Sequence, residues 1–161
     1  MLIVLEGCDG SGKSTLANLL AQVYNAEVIH ATRETPNDLA WFSTIMDEAK
    51  NRNIIMDRAF WGQFVYQKPL ERKLGFVDLG NLERRLVAEG GKLVYVYSPE
   101  NIIKRRLRKR NEVTSLPVRS LLKKYKNMCI YARCPVVWYN SHTGLSKPFE
   151  HKERSKKNES I

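Results

Sequence analysis

Short apolar runs alternate along this chain with longer stretches in which apolar residues recur every three or four positions. LIVLE (2–6) is an apolar run closed by an acid, the pattern of a strand covered on both faces. Residues 13–24 carry Thr15, Leu16, Leu19, Leu20 and Val23 at helical spacing. AEVIH (26–30) predicts a second strand, and Asp38 to Asn51 a helix with Leu39, Phe42, Ile45, Met46 and Ala49 on one face. NIIMD (53–57) reads as a third strand, followed by a helical AFWGQFVYQ (59–67). LGNLERRLVAEGG (79–91) predicts a helix stopped by glycine, and KLVYVY (92–97) a fourth strand. Pro99 opens a helix through Arg110, Pro117 opens another to about Arg133, and PVVWY (135–139) is a fifth strand. Apolar strands separated by helices imply an α/β fold, a three-layer sandwich whose parallel, five-stranded sheet is flanked by helices. Ligands in such sheets sit at the carboxyl ends of the strands. We expect one domain over 1–146 and a disordered basic tail over 147–161.

The stretch joining the first strand to the first helix changes the picture from fold to chemistry. GCDGSGKST (7–15) fits G-x-x-x-x-G-K-[ST], so the sandwich is expected to be of the P-loop NTPase type. Glycines allow consecutive N–H groups to point inward, and the following helix adds its positive end. Gly7, Cys8, Asp9, Gly10, Ser11, Gly12, Lys13, Ser14 and Thr15 are thus expected around the phosphates of ATP. Lys13 reaches the β- and γ-phosphates, and the Ser14 hydroxyl sits on Mg²⁺. Asp57 closes the third strand, the place for a second Mg²⁺ ligand. Arg58 follows it with a fork suited to a phosphate monoester.

Charge is divided unevenly. The net +10 arises from residues 101–161, which hold 16 Lys/Arg against 4 Asp/Glu, while residues 1–100 hold 11 against 13. Such a region fits a nucleic acid or a site crowded with phosphates. Arg106 and Arg110 lie four apart and share a helix face, which makes them candidates to neutralise a migrating phosphoryl group. No run approaches the roughly 20 apolar residues of a membrane span. Cys8, Cys129 and Cys134 are odd in number and lack C-x-x-C spacing, which suggests neither a disulfide framework nor a zinc site. A cytoplasmic location is expected.

LEGCDGSGKSTL, TRETP (32–36), MDRAFWGQFVYQ (56–67) and YVYSPENIIKRRLRKR (95–110) occur in the order seen in thymidylate kinases, and the chain resembles a compact member of that group over roughly residues 2–140. The resemblance implies ATP- and Mg²⁺-dependent phosphorylation of a deoxynucleoside monophosphate, with dTMP first. It implies that Asp9 holds the sugar 3′-hydroxyl, that Arg58 grips the acceptor phosphate, and that Arg33 and Glu34 line the acceptor side. Tyr66 and Gln67 would face sugar and base, and Trp41 and Phe42 would stack on the base. A basic lid around 104–116 would supply the catalytic arginine, and Asn140 and Ser141 would meet the adenine. The chain departs from the group's pattern at Asn37, Ala59 and Gly62, and Ile45 and Met46 stand where a base-contacting arginine is usual. A deoxynucleoside kinase with Glu34 as base, a 5′-polynucleotide kinase and a nucleic-acid-binding protein with a regulatory nucleotide site remain the alternatives. Nucleotides are the expected partners; a homodimer stays open, and nucleic acid is not favoured.

Overall fold

In the computed structural model, which describes residues 1–32 and 34–148, the strands run in the order β2-β3-β1-β4-β5-β6. They are β1 (Leu2–Glu6), β2 (Glu27–His30), β3 (Ile54–Asp57), β4 (Lys92–Tyr97), β5 (Val136–Asn140) and β6 (Leu145–Pro148). The first five pair in parallel, as the apolar runs predict, and β6 adds an antiparallel edge. The sequence pattern ends the fold before β6 because Leu145–Pro148 is exposed throughout and offers no apolar alternation. Residues 147 and 148 thus belong to the sheet, and the rest of the expected tail, 149–161, lies outside the described residues.

Both faces of the central strands are buried, and successive residues serve opposite layers. Leu2, Val4, Ile54, Met56, Leu93 and Tyr95 point into the larger core, whereas Ile3, Leu5, Ile55, Val94 and Val96 meet Leu16 and Ala17 of α1 (Lys13–Tyr24). The larger core is completed by α2 (Leu39–Glu48), α3 (Trp61–Tyr66), α4 (Phe76–Ala88), α5 (Glu100–Lys109) and α6 (Val118–Tyr131). α1 turns Leu16, Ala17, Leu20 and Ala21 to the sheet and leaves Leu19 and Val23, on another face of the helix, exposed. In α2 the predicted face is buried except for Leu39, which lies in the first turn. α4 begins at Phe76, three residues before its periodicity starts, with the Asp78 carboxylate accepting from the Gly75 amide at 2.9 Å. α5 and α6 start directly after Pro99 and Pro117.

Register brings the chemistry-bearing strand ends together. Leu5 pairs with Asp57, and His30 pairs with the same aspartate from the other side. β1 lies between β3 and β4, so the connections from neighbouring strands leave in opposite directions around it, the place where parallel sheets open a crevice.

Candidate active site

The loop after β1 closes tightly because glycine stands where other residues would collide. A Cβ on Gly7 would lie 2.2 Å from the Val96 carbonyl, and one on Gly12 (φ +96°) 2.8 Å from Ser141 Oγ. Lys13 opens α1 and folds back over this loop, its Nζ donating to the Cys8 carbonyl at 2.9 Å. Burial pushes the Lys13 ammonium down from its ordinary range, opposed by the nearby Asp57 carboxylate. Ser11 Oγ is buried without a partner among the described residues. Cys8 is almost wholly buried and burial raises its thiol, as in an unreactive structural cysteine.

Ser14 and Asp57 meet as expected, with Ser14 Oγ donating to Asp57 Oδ2 at 2.6 Å. Asp57 Oδ1 is buried and makes no hydrogen bond among the described residues. A hydroxyl and a carboxylate with a spare oxygen are the hard donors that magnesium takes, so these residues fit that ion. His30 lies with Nδ1 3.2 Å from Asp57 Oδ2. Strand register makes that contact, and no local spacing announces it.

Two cavities flank the loop. One, about 630 Å³, is lined by residues 12–16, Arg106, Lys109, Arg110, Tyr139 and Ser141. The other, about 770 Å³, is lined among others by Thr32, Asn37, Tyr66, Gln67 and Glu71. Asp9 and Arg58 line both. The Arg58 guanidinium is hydrogen-bonded to Asp9 Oδ1, and the Tyr66 hydroxyl lies 3.4 Å from Oδ2 and 3.3 Å from the Asp9 amide. Burial raises the Tyr66 phenol, which keeps it a donor. Arg58 adopts φ +72°, a left-handed backbone in a residue with a side chain, of the kind that functional sites hold under strain. Residues 109–115 pass from one cavity to the other.

Arg106 knits the loop to the sheet. Its guanidinium donates to Ser141 Oγ (2.9 Å), Ser98 Oγ (3.3 Å) and the carbonyls of Gly10 (3.2 Å) and Ser141 (3.3 Å). Residues 104–109 of the expected lid belong to α5, whose Ile103 and Leu107 are buried; the chain leaves helix only from 110 to 117. Arg110 lines the smaller cavity and pairs with Glu112 at 3.2 Å.

Other expected site residues are placed elsewhere. Phe42 is 1 % exposed and packs edge-on against Phe60, so it belongs to the core and offers no face to a base. Trp41 packs against Phe42 and lines neither cavity. An amphipathic helix buries its aromatic stripe, and here that stripe faces the sheet. Glu34 is exposed and lines neither cavity, and Arg33 lies outside the described residues. Asn140 accepts from the His142 amide (3.0 Å) through its side chain and is not among the residues lining the cavity that Ser141 lines. Tyr139, one residue earlier, lines that cavity and was missed; strand alternation past Trp138 was the available signal. Glu6 was also missed. It is fully buried, accepts from the Ala59 and Trp61 amides, and burial pushes its carboxyl up to about 7.

No family model matches the chain. A protein of Acidianus bottle-shaped virus that carries a thymidylate kinase name is 32 % identical over 107 residues, covering 60 % of this chain and 68 % of its own length. A thymidylate kinase of Campylobacter hominis is 27 % identical over 166 aligned positions, covering 80 % and 84 %. The crystal structure of the YorR protein of Bacillus subtilis, in complex with phosphorylated GDP, is similar with a TM-score of 0.76 at 26 % identity, covering 88 % of this chain and 86 % of that one. The phosphate loop at the crevice of a parallel sheet and these relatives lead to one conclusion: the chain belongs to the thymidylate kinase family and is a P-loop kinase that phosphorylates nucleotides.

Proposed function

We propose that this enzyme transfers the γ-phosphoryl group of ATP to the phosphate of a deoxynucleoside monophosphate, with dTMP as the acceptor. The observation that carries this reading is the Asp9–Arg58 pair, which lines both cavities and stands between them. ATP occupies the smaller cavity, its phosphates against the loop amides and Lys13. The acceptor occupies the larger one, with its phosphate on the Arg58 guanidinium and its sugar hydroxyl on the Asp9 carboxylate. A carboxylate repels polyphosphate, so Asp9 suits a sugar hydroxyl better than ATP. Tyr66 orients Asp9 by its hydrogen bond.

Phosphoryl transfer asks the protein for in-line positioning and neutralisation of charge, with little covalent work. Lys13, Arg58, Arg106 and Arg110 supply positive groups around the junction. Ser14 and Asp57 would hold Mg²⁺, which when bound neutralises charge on the phosphates. Since Trp41 and Phe42 do not reach the acceptor cavity, base contacts fall to Tyr66, Gln67 and residues 113–115. Gln67 Oε1 is buried there without a partner among the described residues, an acceptor available to a base N–H. The names of the curated relatives support thymine as that base.

An ADP-release panel over the deoxynucleoside monophosphates, the deoxynucleosides and 5′-hydroxyl oligonucleotides tests this. Turnover highest on dTMP is expected. Turnover on a purine monophosphate would correct the base, and turnover on oligonucleotides alone would overturn the reading.

A further inference from the structure

We propose that Glu6, buried behind the loop and outside both cavities, is the positioning residue that sets the acceptor clamp. The proposal rests on the reading of Asp9 and Arg58 as acceptor contacts. Glu6 is the last residue of β1, and its Oε1 accepts from two amides across the sheet, Trp61 at 2.8 Å and Ala59 at 3.2 Å. α3 has no side-chain cap of its own at Phe60, so Glu6 caps it from the neighbouring strand. The Arg58 amide in turn donates to the Leu5 carbonyl at 3.0 Å. Arg58, in its left-handed conformation, thus has its own amide and the next one fixed by the last two residues of β1.

The connection closes a ring. From its capped start, α3 carries Tyr66 to Asp9, which lies three residues beyond Glu6. The Trp61 indole is held by Glu83 at 2.7 Å, so α3 is anchored by a carboxylate at its backbone and another at its side chain. Burying a carboxylate is unfavourable unless it is hydrogen-bonded, and Oε2 has no such bond among the described residues. The two amides held by Oε1 are what this side chain provides. Its reach, more than its charge, is therefore the property that sets where Arg58 and Tyr66 stand.

Two conservative variants separate reach from charge. Glu6→Asp keeps the carboxylate but withdraws it by one methylene; Glu6→Gln keeps an acceptor oxygen at full reach. The expected result for Glu6→Asp is a loss of roughly tenfold or more in kcat/KM for dTMP, with the Kd of a non-hydrolysable ATP analogue within about threefold of wild type. Glu6→Gln should stay within about threefold of wild type on both measures. Normal acceptor kinetics in Glu6→Asp, a parallel loss of analogue binding, or an equal loss in Glu6→Gln would each overturn the proposal. A Glu6→Asp chain that does not fold overturns it too, because the side chain would then serve the fold and not the clamp. Asp9→Asn is the control: normal dTMP kinetics there would remove the acceptor reading itself, whereas a loss there beside a normal Glu6→Asp would remove only this inference.

Discussion

Replacing Glu6 by glutamine should change how stability depends on pH. Glu6 is fully buried at the end of β1, and desolvation lifts its carboxyl from the usual 4.5 to about 7 against the opposing pull of the Trp61 amide and Lys13. Below about pH 4.5 the group is neutral in folded and unfolded chains alike. As pH rises from there to about 7 the unfolded chain releases its proton while the folded chain keeps it, so native stability falls. One pH unit corresponds to about 1.4 kcal/mol, which makes the whole fall about 3 kcal/mol, levelling off above pH 7. Glu6→Gln cannot ionise and should lack this component, while Lys13, Arg58, Cys8, Tyr66 and Tyr125 around it remain. The assay is urea unfolding of both proteins at several pH values between about 4 and 8 at constant ionic strength, reading the difference in unfolding free energy. That difference should move in favour of the variant by about 3 kcal/mol as pH rises. A difference that stays constant with pH would refute the reasoning.

Lys13→Met should abolish phosphoryl transfer without lowering Tm, because it removes a charge from the phosphate site and relieves the burial of an ammonium; a kcat near wild type would take Lys13 out of the mechanism. Gly12→Ala should prevent tight binding of an ATP analogue by calorimetry, since the new Cβ meets Ser141 at a backbone angle alanine avoids. Adding Ser141→Gly, which removes both the Oγ and the Cβ that the new methyl meets, should relieve that only in part, the angle being unchanged; full recovery would make the contact the whole cause. Arg58→Gly should be more stable than Arg58→Ala by about 1 kcal/mol in thermal unfolding, because glycine tolerates φ +72°. Equal stability would show that the left-handed backbone carries no strain.

The parts of this fold that the sequence makes legible are those decided by neighbouring residues. Leu2 to Leu5 are all apolar because β1 is covered on both faces, and Pro99 and Pro117 mark helix starts because proline lacks the amide that a first turn leaves unused. The glycines of the loop, Lys13 and Ser14 are legible for the same reason, since their spacing is the motif, and Asp57 is legible as the acid that closes an apolar strand. What depends on distant pairing is not legible. Phe42 and Leu19 both sit on amphipathic helices, yet the first is core and the second exposed, because α1 turns the face of Leu16, Ala17, Leu20 and Ala21 to the sheet and Leu19 lies off that face. Asp9 and Arg58 are 49 residues apart, and only the alignment of β1 with β3 joins them. Glu6 reads in sequence as the polar end of a strand; that it caps a helix beginning 55 residues later follows from the same alignment. Glu34, singled out within TRETP, turns out to line neither cavity, since a motif gives order along the chain without direction.

The central claim is that the Asp9–Arg58 junction receives an acceptor that already carries a phosphate. Thymidine and dTMP share base and sugar and differ only in that group, so their kcat/KM values compared in the wild type and in Arg58→Ala measure the claim directly. The wild type should favour dTMP by roughly a hundredfold, the scale of two charge-assisted bonds to a phosphate monoester, and Arg58→Ala should lose most of that preference. Equal use of thymidine by the wild type, or a preference for dTMP that survives the loss of Arg58, would contradict the account.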